Sequence, residues 1–211
     1  MTEKATSVAL LAKVPGYKPG QRVSRLIEQV DVFPSVAEAV GVPQVKRCPM
    51  IEAGGRDVQL CTEGSSFLVL MHKNNETEEE EDARKQQESL WKAMAFQQYP
   101  RPNSGYKYLG GDWPAWSHEE PHHTSEAAMG YAIRTDTWRY VEWVGFNATR
   151  GKPIREISYG VELYNYTDVP IPLANYDYAN VNLAGQPEYA DLIHNLSRSL
   201  WNTMRNVTAA D

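Results

Sequence analysis

The distribution of apolar and polar positions divides this chain into a short first half and a longer, more periodic second half. Val8-Ala9-Leu10-Leu11-Ala12-Lys13-Val14 is almost continuously apolar and stops at Pro15-Gly16. A run of this length without alternation predicts a short, mostly buried strand, covered on both faces within a larger sheet. That larger sheet is not found in the rest of the chain. Val23 to Val40 follows a helical period instead, with Val32, Phe33, Val36, Ala37 and Val40 on one face. Pro34 lies inside this pattern. The helix is therefore expected to begin near it with Asp31 as N-cap, because a proline in the first turn has no amide hydrogen bond to lose. Gly41 and Pro43 should close it.

Asn74 to Asp82 reads Asn-Asn-Glu-Thr-Glu-Glu-Glu-Glu-Asp. A run of like charge without aromatics buries too little surface to offset its ordering entropy, which predicts an exposed linker. Such a segment is also a place for proteolytic nicking, although a solvated loop without processing fits the same residues. Beyond it the pattern predicts an antiparallel sheet and one helix. Ala93 to Tyr99 is strand-like. Met129 to Arg134 and Tyr140 to Phe146 form a hairpin across Thr135 to Arg139, and Gly160 to Tyr164 is a fourth strand. Glu188 to Met204 is amphipathic. Tyr189, Leu192, Ile193, Leu196, Leu200 and Met204 make one stripe behind Pro187, suited to covering one face of the sheet. The expected organisation is a first segment over 1–73, an acidic linker and following helix over 74–90, and a sheet-and-helix subdomain over 91–211.

Composition narrows the partners. The 211 residues are 42% hydrophobic and 23% charged, with a formal net charge of −6. No basic stripe follows any predicted element, so nucleic acid is not an expected partner. No stretch reaches the roughly 18 apolar residues of a membrane span. The run at Val8 to Ala12 has no basic leader and no small-residue cleavage site, so it does not read as a signal peptide. Yet Asn-x-Ser/Thr sequons occur at Asn75, Asn147, Asn165, Asn195 and Asn206, where chance gives roughly one. The chain is secretory in character without a secretory address, and a longer N-terminal part is the expected resolution. Cys48 and Cys61 bracket a polar loop containing Gly54-Gly55 and match no C-x-x-C metal or redox pattern. They are either two free thiols or, in an oxidising compartment, a bridge.

Several segments together resemble the C-terminal region of the sulfatase family. Val30-Asp31-Val32-Phe33-Pro34-Ser35 with Ala39-Val40-Gly41-Val42-Pro43 is similar to the family's D-h-h-P-T helix and its A-G-h-P ending, where h is apolar. Gly130-Tyr131-Ala132-Ile133-Arg134-Thr135 with Arg139-Tyr140-Val141-Glu142-Trp143 is similar to G-Y-S-I-R-T…R-Y-T-x-W. Glu162-Leu163-Tyr164-Asn165 with Asn180-Val181-Asn182-Leu183-Ala184 is similar to E-L-Y-D…N-x-N-L-A. Two features resemble the iduronate-2-sulfatase branch. They are the cysteine pair in Arg47-Cys48-Pro49…Leu60-Cys61-Thr62-Glu63-Gly64, and Gln97-Gln98-Tyr99-Pro100-Arg101-Pro102. The resemblance runs from Val8 to about Leu200.

It implies an α/β, alkaline-phosphatase-like sulfatase of which this chain is the C-terminal portion. Residues 1–73 would close the catalytic domain, with a strand and helix from its large mixed sheet and a Cys48–Cys61 disulfide loop. A small four-stranded antiparallel sheet packed by a C-terminal helix would follow. The resemblance further implies hydrolysis of iduronate 2-O-sulfate esters in heparan and dermatan sulfate by the complete protein, with calcium as cofactor and a lysosomal or secreted location. The family's formylglycine arises from Cys in C-x-[PS]-x-R, and its metal site uses Asp-Asp and Asp-His or Asp-Asn pairs. None of these patterns occurs in the chain. No catalytic or metal residue is therefore assigned here. The isolated chain is expected to be inactive, and its expected partners are an upstream catalytic domain and a sulfated glycosaminoglycan.

Among candidate substrate residues, Arg101 stands between two prolines after a strand, and its planar fork suits carboxylate and sulfate oxyanions. Gln98 is placed with it on a pocket rim; a buried salt bridge from Arg101 to the catalytic domain is the alternative. Trp113 and Trp116, in Gly-Gly-Asp-Trp-Pro-Ala-Trp, are loop residues suited to stacking on a sugar, whereas Trp138, Tyr140 and Trp143 read as core. His118, His122 and His123 lie in a proline-containing polar loop without the rigid spacing of metal ligands, and read as solvated. A non-catalytic module that binds sulfated glycan, or a degenerate product, is the reading from another class. It predicts independent folding, which exposed apolar residues at Val8–Val14 and on the Val32/Phe33/Val36 face would oppose.

Overall fold

The computed structural model describes residues 6–48, 60–101, 127–147, 150–167 and 181–208. The chain divides into two compact units, Ala5–Ala95 and Phe96–Thr208. The division falls after the 74–90 region suggested as a linker. The reason is that residues beyond it still bond back into the first unit. Trp91 Nε1 donates to the Leu26 carbonyl at 2.9 Å, and Lys92 Nζ reaches Glu28 at 2.6 Å.

In the first unit, helix α1 spans Val32–Ala39 after a 3-10 turn at Gln29–Asp31. Asp31 occupies the N-cap position as the sequence predicts, but its carboxylate does not cap the helix. It is fully buried and works outward. One oxygen accepts from the Ser65 amide at 2.9 Å; the other accepts from the Glu28 amide at 2.8 Å and from Lys92. One turn on, Ser35 Oγ donates to the Asp31 carbonyl at 2.6 Å and accepts from the Phe67 amide at 2.8 Å. Two polar side chains of α1 thereby hold the backbone of residues 65–67. The 3-10 turn Phe67–Leu70 is fixed there, and its buried residues form a core joined by Val14, Tyr17, Ile27, Val32 and Trp91. The helix ends as predicted. Gly41 takes φ +72, its amide bonds to the Glu38 carbonyl at 3.1 Å, and the Val42 amide bonds to Ala37 at 2.9 Å, a Schellman closure.

Two expectations for this unit need correction. Val8–Val14 forms no strand. Val8, Leu10 and Leu11 are exposed, because an extended run needs flanking strands and none is paired with it. The apolar face of α1 is largely outward, as expected where the surface that would cover it is absent from the described residues. Phe33, Val36 and Val40 are exposed while Pro34, Ser35 and Ala37 are buried, since the Asp31 and Ser35 bonds turn that side inward. The acidic run is not a linker along its whole length. Helix α2, Glu78–Ser89, starts within it. Thr77 and Glu80 form a reciprocal capping box at 3.2 and 2.9 Å, and four glutamates of the first turn sit at the positive end of the helix dipole.

Cys48 and Cys61 are bridged, with Cα atoms 4.8 Å apart. Main-chain bonds from Cys48 N to Thr62 O at 2.9 Å and from Thr62 N to Lys46 O at 3.0 Å hold the two ends together. Reduction, or a Cys48→Ser/Cys61→Ser pair, should lower stability by about 3 kcal/mol on the chain-entropy scale for a loop of this length. Urea unfolding with and without reductant checks this, and an unchanged midpoint would refute it.

The second unit is a four-stranded antiparallel meander with strand order β1-β2-β3-β4. Its strands are β1 Ala95–Arg101, β2 Ala127–Arg134, β3 Trp138–Asn147 and β4 Lys152–Asn165. All four predicted strands form; β1 is displaced two residues C-terminally from Ala93–Tyr99, and the other three are longer than predicted. β2 and β3 are joined through Thr135, whose hydroxyl accepts from the Trp138 amide at 2.9 Å. Helix α3, Ala190–Thr208, follows a 3-10 turn begun by Pro187 and packs on β2 and β3. Leu196, Leu200 and Met204 of the predicted stripe are buried, together with Trp201. A small α/β portion with an antiparallel sheet and terminal helix is thus the observed fold.

Candidate functional site

The two faces of β3 carry different chemistry, and both are largely buried. Toward α3 lie Tyr140, Glu142 and Val144, beside Tyr131 and Ile133 of β2. Glu142 sits at the centre of this face. Its carboxylate accepts from Tyr140 Oη at 2.8 Å and from Trp201 Nε1 at 2.8 Å. The Trp201 ring centroid is 5.0 Å from that of Tyr131, and the Arg155 guanidinium lies 4.4 Å from it. The opposite face carries Arg139, Val141 and Trp143. Arg139 is fully buried and donates to Gln97 Oε1, reaching across the intervening strand to β1. Glu162 accepts from Trp143 Nε1 at 2.7 Å and from Tyr164 Oη at 3.3 Å.

Burial fixes the protonation of these phenols. Burial alone pushes Tyr131 up to about 12. Tyr164 is also raised to about 12, by burial first and then by the Glu162 carboxylate. Burial and the Glu142 carboxylate raise Tyr140. These tyrosines are neutral at physiological pH and not bases; Tyr140 and Tyr164 donate hydrogen bonds, while the buried Tyr131 hydroxyl has no hydrogen-bond partner among the described residues. In the unfolded chain they ionise near the ordinary value of 10.0. Their contribution to stability is therefore complete below about pH 10 and is lost as pH rises towards 12. Ultraviolet titration should show phenolate from these residues appearing only with unfolding. Ionisation near pH 10 in a still-folded chain would contradict their burial.

The motif residues singled out in the sequence prove to be packing and hydrogen-bonding devices. A Cβ on Gly130 would stand 2.7 Å from the Trp143 ring, so the glycine lets that indole lie across the hairpin. Asn182 binds the free edge of β4, accepting from the Leu163 amide at 2.9 Å and donating to the Val161 carbonyl at 3.0 Å. The Leu183 amide adds a bond to the Leu163 carbonyl at 2.9 Å. That joins the two separated parts of the closing motif and satisfies an exposed strand edge.

Of the candidate substrate residues, Gln98 lies exposed on β1, and Arg101 closes that strand with only its backbone described. Trp113, Trp116, His118, His122 and His123 fall outside the described residues. Gln97, in the same motif as Gln98 but not a candidate substrate residue, is sent by strand alternation to the opposite face and onto Arg139. Trp138, Tyr140 and Trp143 are half-buried or buried, as expected for core. Asn75, Asn165 and Asn195 are exposed, and Asn147 is half-buried at the end of β3. Asn206 lies in α3, its side chain outside the description. Among the described residues, no three His, Cys, Asp or Glu side chains converge so as to hold a metal. No helix among them is long and apolar enough to cross a membrane.

No protein-family model matches the chain. It is similar to iduronate 2-sulfatase of Mus musculus, 29% identical over 177 residues, which is 84% of this chain and 28% of that protein. It is also similar to iduronate 2-sulfatase of Homo sapiens, 34% identical over 130 residues, or 62% of this chain and 21% of that protein. The matched region spans less than a third of the length of either relative. The chain is thus a sulfatase-like region similar to iduronate 2-sulfatase.

Proposed function

We propose that the chain is the C-terminal part of an iduronate-2-sulfatase-like enzyme. When complete, that enzyme hydrolyses 2-O-sulfate esters of iduronate in heparan and dermatan sulfate. The observation that supports this best is similarity to iduronate 2-sulfatase across 84% of the chain. Exposed apolar residues at Val8, Leu10, Leu11, Phe33, Val36 and Val40 agree with it, since large apolar side chains grouped on a segment or helix face often meet a partner. In this reading the partner is an upstream catalytic domain. Calcium and the nucleophile would belong to that domain, since neither C-x-[PS]-x-R nor an Asp-Asp pair occurs in this sequence. Gln98, Arg101, Trp113 and Trp116 contribute to the substrate rim. Asn75, Asn147, Asn165, Asn195 and Asn206 are glycosylation acceptors in a lysosomal or secreted protein.

Sequencing the transcript upstream of Met1, then expressing the complete product in a secretory host with calcium, tests the reading. The product should hydrolyse a 2-O-sulfated iduronide, and the 211-residue chain alone should not. Arg101→Ala in the complete product should lower kcat/KM by at least about tenfold, or 1.4 kcal/mol. Turnover by the isolated chain would refute the proposal. So would a complete product that binds sulfated glycan without turnover, which would favour the non-catalytic module.

A further inference from the structure

The first unit carries a concave pocket of about 330 Å³ whose lining includes Gln21, Arg22, Ser24, Arg25, His72 and Glu88. Its floor is held by one side chain. Gln21 Nε2 donates to the His72 carbonyl at 2.9 Å and to the Lys18 carbonyl at 2.7 Å, while Gln21 Oε1 accepts from the His72 amide at 2.6 Å. Both main-chain groups of His72 are therefore fixed. The imidazole is fixed as well. Arg84 Nη2 lies 3.0 Å from His72 Nδ1. A guanidinium only donates, so Nδ1 accepts and the neutral ring carries its proton on Nε2. Arg84 is nearly buried and anchored by Glu76 at 3.1 Å and Glu88 at 3.2 Å.

Charge in the pocket is unequal. Glu88 is the carboxylate of the lining. It already accepts from Arg84, and Arg25 Nε stands 3.7 Å from its other oxygen. Against it the lining sets Arg22 and Arg25, both exposed, with His72 and Ser24, residues that carry two guanidinium groups, an imidazole N–H and a hydroxyl. These are the donors that planar and tetrahedral oxyanions select, with arginine supplying paired N–H groups. We propose that this pocket binds a sulfate or phosphate group. Arg22 and Arg25 supply the charge, and His72 Nε2 and Ser24 Oγ supply neutral donors. The cavity is larger than the bare anion and leaves room for a sugar that carries it. The inference stands on the pocket's own geometry and does not depend on the activity proposed above.

The test is an NMR titration of the whole isotope-labelled chain with sodium sulfate, set against sodium chloride at equal ionic strength. Saturable shifts should appear at the amides of residues 21–25 and at the His72 ring with sulfate and not with chloride. Arg22→Gln alone should weaken binding several-fold, and Arg22→Gln/Arg25→Gln by tenfold or more. The melting temperature of Arg22→Gln without sulfate should be unchanged, because Arg22 is exposed. A sulfated disaccharide that competes with inorganic sulfate, where its unsulfated counterpart does not, would identify the glycan as the source. Sulfate binding without that competition would identify a free-anion site. Shifts that do not saturate, that chloride reproduces, or that survive both substitutions would overturn the proposal.

Discussion

Asp31→Ala should destabilise the first unit by about 3–5 kcal/mol, the range for removing one member of a buried ion pair. The carboxylate is fully buried and holds three donors that belong to three separate segments: the Glu28 amide, the Ser65 amide and the Lys92 ammonium. Alanine leaves two amides without their acceptor and Lys92 with Glu28 alone. It also frees the turn that presents Phe67–Leu70 to the core. A unit of this size has roughly 5–13 kcal/mol of total stability, so the loss is a large fraction of it. Asp31→Asn keeps the shape and one acceptor but loses the charge, and should fall between wild type and alanine. Urea unfolding followed by circular dichroism measures both. An Asp31→Ala cost below about 1 kcal/mol would show that these bonds are replaced by water at little expense.

Much of the second unit is legible in the sequence because one period dominates each element. Met129–Arg134 and Tyr140–Phe146 sit inside β2 and β3, and the Leu196/Leu200/Met204 stripe meets the sheet. The first unit is less legible, for two physical reasons. Apolar periodicity shows which residues would bury themselves against something, and not whether that something is present. Phe33, Val36 and Val40 keep the period of a core face and lie exposed, while two polar side chains, Asp31 and Ser35, set the inner face. Charge content likewise outweighed local signals in the acidic run. Thr77-x-x-Glu80 is a helix start written in the sequence, and the run of glutamates strengthens it where a mid-helix run would weaken it.

The candidate site is legible only in part, and the motifs explain why. Gly130, Asp31, Asn182 and Gly64 each stand in a segment that carries the resemblance, and each answers a packing or hydrogen-bonding demand. A Cβ on Gly64 would lie 1.9 Å from the Val30 carbonyl oxygen. Asn182 closes a strand edge, and Gly130 admits an indole. A motif of this kind transmits architecture. It places β1, with Gln98 and Arg101, at the edge of a sheet whose faces are fixed by Arg139 and Glu142.

Trp201→Ala should detach α3 from the sheet at a cost of about 3–5 kcal/mol, as for other large aromatics removed from cores. Its ring packs at 5.0 Å on Tyr131, which is wholly buried, and its Nε1 is a donor to Glu142. Removing it opens a cavity over the centre of β2 and β3 and leaves Glu142 with Tyr140 alone on that face. Arg155 loses the ring on which its guanidinium rests. Trp201→Phe separates the two contributions. It keeps most of the apolar contact and loses the indole N–H, so its cost should be about 1–3 kcal/mol for a buried acceptor left short of a donor. Trp201 lies beside the predicted stripe, one position after Leu200, so periodicity assigns the packing to Leu200 when the indole shares it. If alanine and phenylalanine cost the same in thermal unfolding, the Glu142 hydrogen bond holds α3 in place. If alanine costs no more than about 1 kcal/mol, Leu196, Leu200 and Met204 hold the helix without it, and the stripe alone is sufficient.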